Sequence, residues 1–284
     1  MSKRILFSRM RRSIFFMTGF IGVCIMLFAC YVLPRFLPWD PVSNSLLDKF
    51  IPPQGFAAGL SGHVLGTDLL GRDMLTRLLV GGQYSIRIAI TSVFLQSVIG
   101  VVMGILAGYF GGLINAFIMR LCDVLIAIPA LIMSIAIMAV LGASERNLIF
   151  VLTFSGWVVL CKVIRNDVSI LKRQEFVMAS KAIGSNGFDI MFRQILPNTT
   201  TNMIIISSQR FGVMILIEAS LSFLGLGVLP PAPSWGNMIS AGRSYLVTNP
   251  WMIIVPGIGL MLTVLSFNFL GDGIRDVLDT KRKV

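Results

Sequence analysis

Apolar residues run in long blocks along this chain, and the shorter stretches between them hold most of its charge. An α-helix rises 1.5 Å per residue, so roughly 20 apolar residues cross the hydrocarbon core of a bilayer. Six blocks meet this requirement, at about 13–33, 86–107, 116–141, 148–165, 203–226 and 251–270. They predict an all-α membrane protein with six transmembrane helices. The first block follows Lys3, Arg4, Arg9, Arg11 and Arg12, as the core of a signal peptide would. Its apolar run is longer than a signal core and no small-x-small cleavage site follows, so it is read as a retained anchor.

Composition sharpens this picture. Of 284 residues, 55% are hydrophobic and 13% charged, whereas a soluble domain carries about 25% charged residues. The mean hydropathy is +0.84. One soluble core cannot hide this much apolar surface, so lipid is part of the solvent. The net charge of +11 would suit nucleic acid, but the basic residues lie between apolar runs and form no polar domain of their own. Topology accounts for them better. Six spans put both termini on one side, and Lys/Arg bias selects that side. With both termini cytoplasmic, the inner set has fifteen basic residues: the five N-terminal ones, Lys162, Arg165, Lys172, Arg173, Lys181, Arg193, Arg275, Lys281, Arg282 and Lys283. The outer set has six: Arg35, Lys49, Arg72, Arg77, Arg146 and Arg243.

Chemistry-bearing residues are sparse. Cys24, Cys30, Cys122 and Cys161 all lie in apolar segments without a Cys-x-x-Cys pair, which reads as buried inert thiols. His63 is the sole histidine, which argues against a multi-histidine metal centre. The sequence contains no Gly-x4-Gly-Lys-Ser/Thr phosphate loop and no Ser-His-Asp set. No catalytic residue, metal site or bound cofactor is expected, and the chain is not expected to hydrolyse ATP.

Two connecting segments are long enough to matter, an outer loop at 34–85 and a cytoplasmic loop at 167–202, and a short proline-rich outer loop follows the fifth span at 228–250. The cytoplasmic loop is the most informative. Residues 175–183 predict a short helix, with Phe176, Ala179 and Ile183 on one face. Gly184 follows, suited to the left-handed conformation that ends a helix. A second amphipathic helix is expected at 188–196, with Ile190, Met191, Ile195 and Leu196 apolar and Pro197 as its stop. Two short helices joined by a glycine turn make a compact cytoplasmic knob.

This loop resembles the cytoplasmic motif of ABC importer permeases, Glu-Ala-Ala, then three residues to a Gly, then a Leu-Pro. Met178-Ala179-Ser180 stands where Glu-Ala-Ala would be, while Gly184, Leu196 and Pro197 keep the spacing. The flanking Glu175-Phe176-Val177 and Ile195-Leu196-Pro197-Asn198 are similar to the dipeptide, oligopeptide and nickel subfamily. Four further segments resemble the same subfamily in order: LGTDLLGRDMLTRLLVGG at 65–82, MRLCDVLIAIP at 119–129, EASLSFLGLG followed by PPAPSWGNM at 218–238, and FNFLGDGIRDVLD at 267–279.

Read for their physics, these segments carry further expectations. Thr67 or Asp68 can cap an amphipathic outer-surface helix, read as a structural lead-in to the second span rather than a substrate contact. Gly100, Gly104 and Gly108, four apart, permit close helix packing. Arg120 pairs with Asp123 three residues on, and Pro129 kinks the third span. Glu218 stands about 15 residues past the inner end of its block, roughly 22 Å deep. A carboxylate there is costly without a partner or water. Two readings stand: Glu218 lines the translocation path, or it pairs with a polar group of a neighbouring subunit.

The resemblance implies a type I ABC importer permease fold, a multi-pass protein of the plasma (inner) membrane. It implies a second homologous permease subunit, two ATPase subunits and an extracytoplasmic substrate-binding protein as partners, with no nucleic acid. The loop, through Glu175, Ala179, Ser180, Gly184, Leu196 and Pro197, would dock on an ATPase. The chain divides into an anchor helix and outer loop at 1–80, a permease core at 81–272 with the coupling loop at 167–202, and a cytoplasmic tail at 273–284. Peptides are the implied cargo, with nickel or a metal chelate as the rival. A membrane-embedded enzyme is the alternative of another class, and it would need a catalytic set within the spans. An ion channel would show a filter sequence or charged ring.

Overall fold

The computed structural model describes residues 3–56, 59 and 62–278. Lys281, Arg282 and Lys283 of the expected tail, and Asp279 of the last matching segment, lie outside the described residues. Eleven α-helices are formed among the described residues, in the order α1 (Lys3–Arg12), α2 (Ile14–Tyr31), α3 (Met74–Phe110), α4 (Gly112–Ala127), α5 (Ala130–Leu141), α6 (Glu145–Leu171), α7 (Glu175–Ala182), α8 (Gly187–Asp189), α9 (Leu196–Phe223), α10 (Trp235–Gly242) and α11 (Trp251–Leu278). Five of the six expected blocks are single helices long and apolar enough to cross a membrane, carried by α2, α3, α6, α9 and α11.

The third block differs. Instead of one kinked helix, α4 and α5 meet at 90° across Ile128 and Pro129. Proline drives the preceding residue out of the helical region, and Ile128 is accordingly extended (φ −104°, ψ 126°). The two halves form a broken span or a re-entrant pair. Nor does Arg120 form the expected pair. Asp123 instead accepts from Lys162 Nζ on α6 at 2.8 Å, which ties α4 to its neighbour.

The centre of the fold is the α3–α6 contact. A Cβ added at Gly100, Gly104 or Gly108 would lie 2.8 Å from the carbonyl oxygens of Trp157, Cys161 and Arg165 respectively. Both helices thus advance in steps of four along one seam, at a separation that only glycine allows. The anchor α2 packs on α11 by the same device: side chains at Gly19 and Gly273 would collide with the backbones of Leu270 and Phe16. Ile86, Leu148, Leu152, Met214, Ile215 and Trp235 fill the common core.

The outer loop is built differently from expectation. No separate surface helix forms at 65–82, because α3 starts at Met74 and continues unbroken for 37 residues, about 55 Å. The proposed domain boundary at 80/81 therefore falls inside one helix. Its N-cap is Asp73, whose carboxylate accepts from Thr76 N at 2.7 Å. Thr67 and Asp68 are loop anchors. Thr67 Oγ1 accepts from Ile51 N at 2.8 Å. Asp68 accepts from the backbone N–H groups of Leu70 and Arg72 and pairs with the Arg72 side chain at 2.7 Å and with Arg77 at 3.4 Å. His63 stacks on Trp39 and contacts Asp73 Oδ2 at 3.1 Å.

The proline-rich segment 228–250 also contains more structure than expected. α10 is closed by a capping box of Ser234 and Asn237. It folds back into the bundle, with Trp235 fully buried and its indole N–H donating to Leu78 O at 2.9 Å.

Candidate functional site

α7 ends as its sequence requires. Gly184 has φ +91°, a conformation that L side chains rarely adopt. Ser185 N donates to Ser180 O at 3.0 Å and Gly184 N to Lys181 O at 3.1 Å. This is the paired closure of a Schellman motif, which satisfies carbonyls that the helix end would leave bare. The chain then reverses, and Asn186 Oδ1 accepts from Phe188 N to start α8.

The second half of the knob departs from expectation. Pro197 does not stop a helix. It lies in the first turn of α9, where a missing N–H does no harm. Between α8 and α9 runs a π-helical stretch, Ile190–Ile195, in which Leu196 N donates to Met191 O five residues back. The wider turn accommodates a proline ring that would clash with the carbonyl four residues earlier in an α-helix. The second half of the knob and the span, Gly187–Phe223, are therefore one continuous helical rod.

The knob is held from inside and bare outside. Val177, only 3% exposed, packs with Ile190, Met191 and Ile195 against Val101, Ile105, Ile164 and Val168 of α3 and α6. Gln194 Nε2 donates to Ser180 Oγ at 2.6 Å, fixing α7 to the π stretch, and Lys172 Nζ donates to the Tyr109 carbonyl at the end of α3. Facing out are Glu175, Phe176, Ala179, Gly184 and Pro197, with Ile183 86% exposed; Ser180 and Leu196 are half-buried. Phe188 and Phe192 stack on each other and are exposed as well. The expected face of Phe176, Ala179 and Ile183 thus exists and points away from the bundle. Val177, which anchors the knob, lies outside that three-residue pattern.

Two charged side chains lie within α9. Glu218 is fully buried inside the chain's own helices. Its Oε1 accepts from Ser222 Oγ at 2.7 Å. The Ser85 hydroxyl of α3 faces the carboxyl, yet neither Ser85 Oγ nor Glu218 Oε2 completes a hydrogen bond. In this conformation the carboxyl is enclosed by the chain's own helices. Arg210, which the block pattern hides within an apolar run, sits near the midpoint of the same helix. Its Nη2 donates to Gly156 O of α6 at 3.4 Å, and its Nε has no partner. The sequence signal for it was a lone arginine far from either end of a span.

Residues 100–284 match the family described as binding-protein-dependent transport system inner membrane component. The chain is 40% identical over 223 residues to the glutathione transport system permease protein GsiD of Pectobacterium atrosepticum, covering 78% of this chain and 74% of that protein. It is 34% identical over 265 residues to the di/tripeptide transport system permease protein DppC of Pseudomonas aeruginosa, covering 93% and 88%. Its fold is similar to a chain of the MetNI methionine ABC transporter in an inward-facing form, with a TM-score of 0.57 at 20% identity, over 72% of this chain and 97% of that one. With its bundle of apolar helices and these matches in hand, the chain belongs to the family of inner-membrane permease components of binding-protein-dependent ABC importers.

Proposed function

We propose that this chain is one of two homologous permease subunits of an importer for short peptides, powered by two separate ATPase subunits and supplied by an extracytoplasmic binding protein. The observation that carries the reading is the knob: an outward apolar face, rigidly seated, whose last turn is the first turn of a membrane-crossing helix. Both termini and the knob lie on the cytoplasmic side in this scheme, in accord with the basic bias. Peptide cargo is supported by relatives named for glutathione, dipeptide and di/tripeptide transport.

The mechanism is alternating access. ATP-driven closure of the ATPases pushes on the face of Phe176, Ala179 and Ile183. The Val177 anchor and the Ser180–Gln194 hydrogen bond transmit that push to the π stretch rather than letting α7 swing freely. α9 then carries it into the membrane. The chain itself performs no chemistry and uses no cofactor of its own. Reconstitution with the cognate permease, ATPases and binding protein should give ATP-dependent uptake of a labelled tripeptide into proteoliposomes. Uptake of nickel without uptake of peptide would overturn the cargo, and uptake that does not depend on ATP would overturn the mechanism.

A further inference from the structure

α9 is 28 residues long and Arg210 is its fifteenth, about 21 Å from the knob end. Counted from the start of its apolar block at 203, it lies seven residues, about 10 Å, inside the hydrocarbon region, where a charge is costly without a partner. Arg210 is half-buried, so its charge is met inside the protein, by a neighbouring subunit or by what passes between the subunits. Among the described residues no carboxylate forms an ion pair with Arg210. A guanidinium offers five N–H donors, and the hydrogen bond to Gly156 O uses one of them at 3.4 Å.

The surroundings are polar and incompletely satisfied. Gln96 of α3 presses on Gly156 so closely that any side chain there would collide with it. Gln96 donates through Nε2 to Leu152 O and to Met214 Sδ, one turn beyond Arg210, while its Oε1 has no partner. Gln96 is 3% exposed. Thr153 Oγ1, nearly a turn before Gly156 on α6, is buried and unpartnered too. Three helices thus bring a cation and buried, unpartnered hydrogen-bonding groups together within the apolar block.

We infer that Arg210 is a transient binding point for the carboxylate of the cargo as it crosses the membrane. The inference rests on the import reading above. A free peptide is a zwitterion, and its carboxylate loses water on entering a narrow low-dielectric passage. A guanidinium whose remaining donors are open replaces that water with a planar fork matched to two oxygens. Arg210 lies on the same continuous helix as the knob, so the motion that opens the passage also moves the binding point.

The test uses the complete reconstituted complex and two probes, a labelled tripeptide and the same tripeptide with an amidated C-terminus. Arg210→Gln should lower uptake of the free-acid peptide by about tenfold to a hundredfold, the worth of a charge-assisted hydrogen bond, while uptake of the amide changes by less than about twofold. Arg210→Lys keeps the charge, secures a readout if the Gln variant assembles poorly, and should raise the apparent KM for the free acid alone. Equal loss for both probes in Arg210→Lys, or no loss for either in Arg210→Gln, would overturn the inference and leave Arg210 as a helix-packing or subunit-pairing residue. A wild-type complex that carries neither probe would instead overturn the peptide-import reading on which it stands.

Discussion

At the scale of single residues, Gly184 offers the cleanest separation of backbone from side-chain effects. A Cβ added there meets nothing within 4 Å, yet φ is +91°. Any strain that a substitution causes within this chain therefore comes from the backbone and not from a clash. Valine should strain the turn by about 1 kcal/mol or more, whereas asparagine tolerates the left-handed region. Gly184→Val should thus insert normally but weaken ATPase association or uncouple hydrolysis from transport, and Gly184→Asn should stay close to wild type. Ala179→Asp, which adds an unpaired charge to the outward face, should mimic the valine change through desolvation at the interface. Pull-down of the ATPases and ligand-stimulated ATP hydrolysis read both. Normal association and stimulation in Gly184→Val and Ala179→Asp would remove the loop from the coupling pathway.

At the scale of helices, the α3–α6 seam makes the strongest stability prediction. Gly104→Leu would drive a side chain into Cys161 O and the Ile164 side chain. Overpacking of this kind costs about 1–3 kcal/mol or more, so the detergent-solubilised protein should melt several degrees lower, while Leu113→Ala, at a 90% exposed position, should melt as wild type. An unchanged melting temperature for Gly104→Leu would mean that the two helices do not touch there. Elements were readable from sequence where one physical rule dominated. Apolar length gave the spans, glycine spacing gave this seam, and Gly184 gave the knob's turn. Reading failed where two rules competed. Pro197 looked like a stop because proline ends helices, but it also starts them, and the π stretch that reconciles the two has no sequence signature of its own. Asp68 looked like a cap, but Asp73 also precedes an apolar helix, and only the folded loop shows Asp68 committed to Arg72 and Arg77. Arg210 was present in the sequence, but reading for uninterrupted apolar length averaged it away.

At the scale of the whole molecule, sidedness connects sequence to mechanism. Leu47 is 98% exposed in the segment before α3, and Ser185 is exposed in the knob. In a background with Cys24, the exposed native thiol, replaced by serine, a membrane-impermeant maleimide applied to intact cells should label Leu47→Cys and spare Ser185→Cys until the membrane is opened. The reverse pattern would invert the topology and remove the knob from reach of any cytoplasmic ATPase.

The unbroken passage from knob to span has a mechanical consequence. The α9 part of that rod, 28 residues, is about 42 Å long. A tilt of about 5° at its cytoplasmic end displaces the far end by roughly 4 Å and the midpoint by roughly 2 Å, by the geometry of a lever with that helical rise. Two ångströms is enough to break a guanidinium–carboxylate contact. Four ångströms is a large part of the width of an extended peptide. A lever without a joint cannot perform these operations in sequence, so release of the cargo's charge and the change in which side is open would occur as a single event within each ATP cycle.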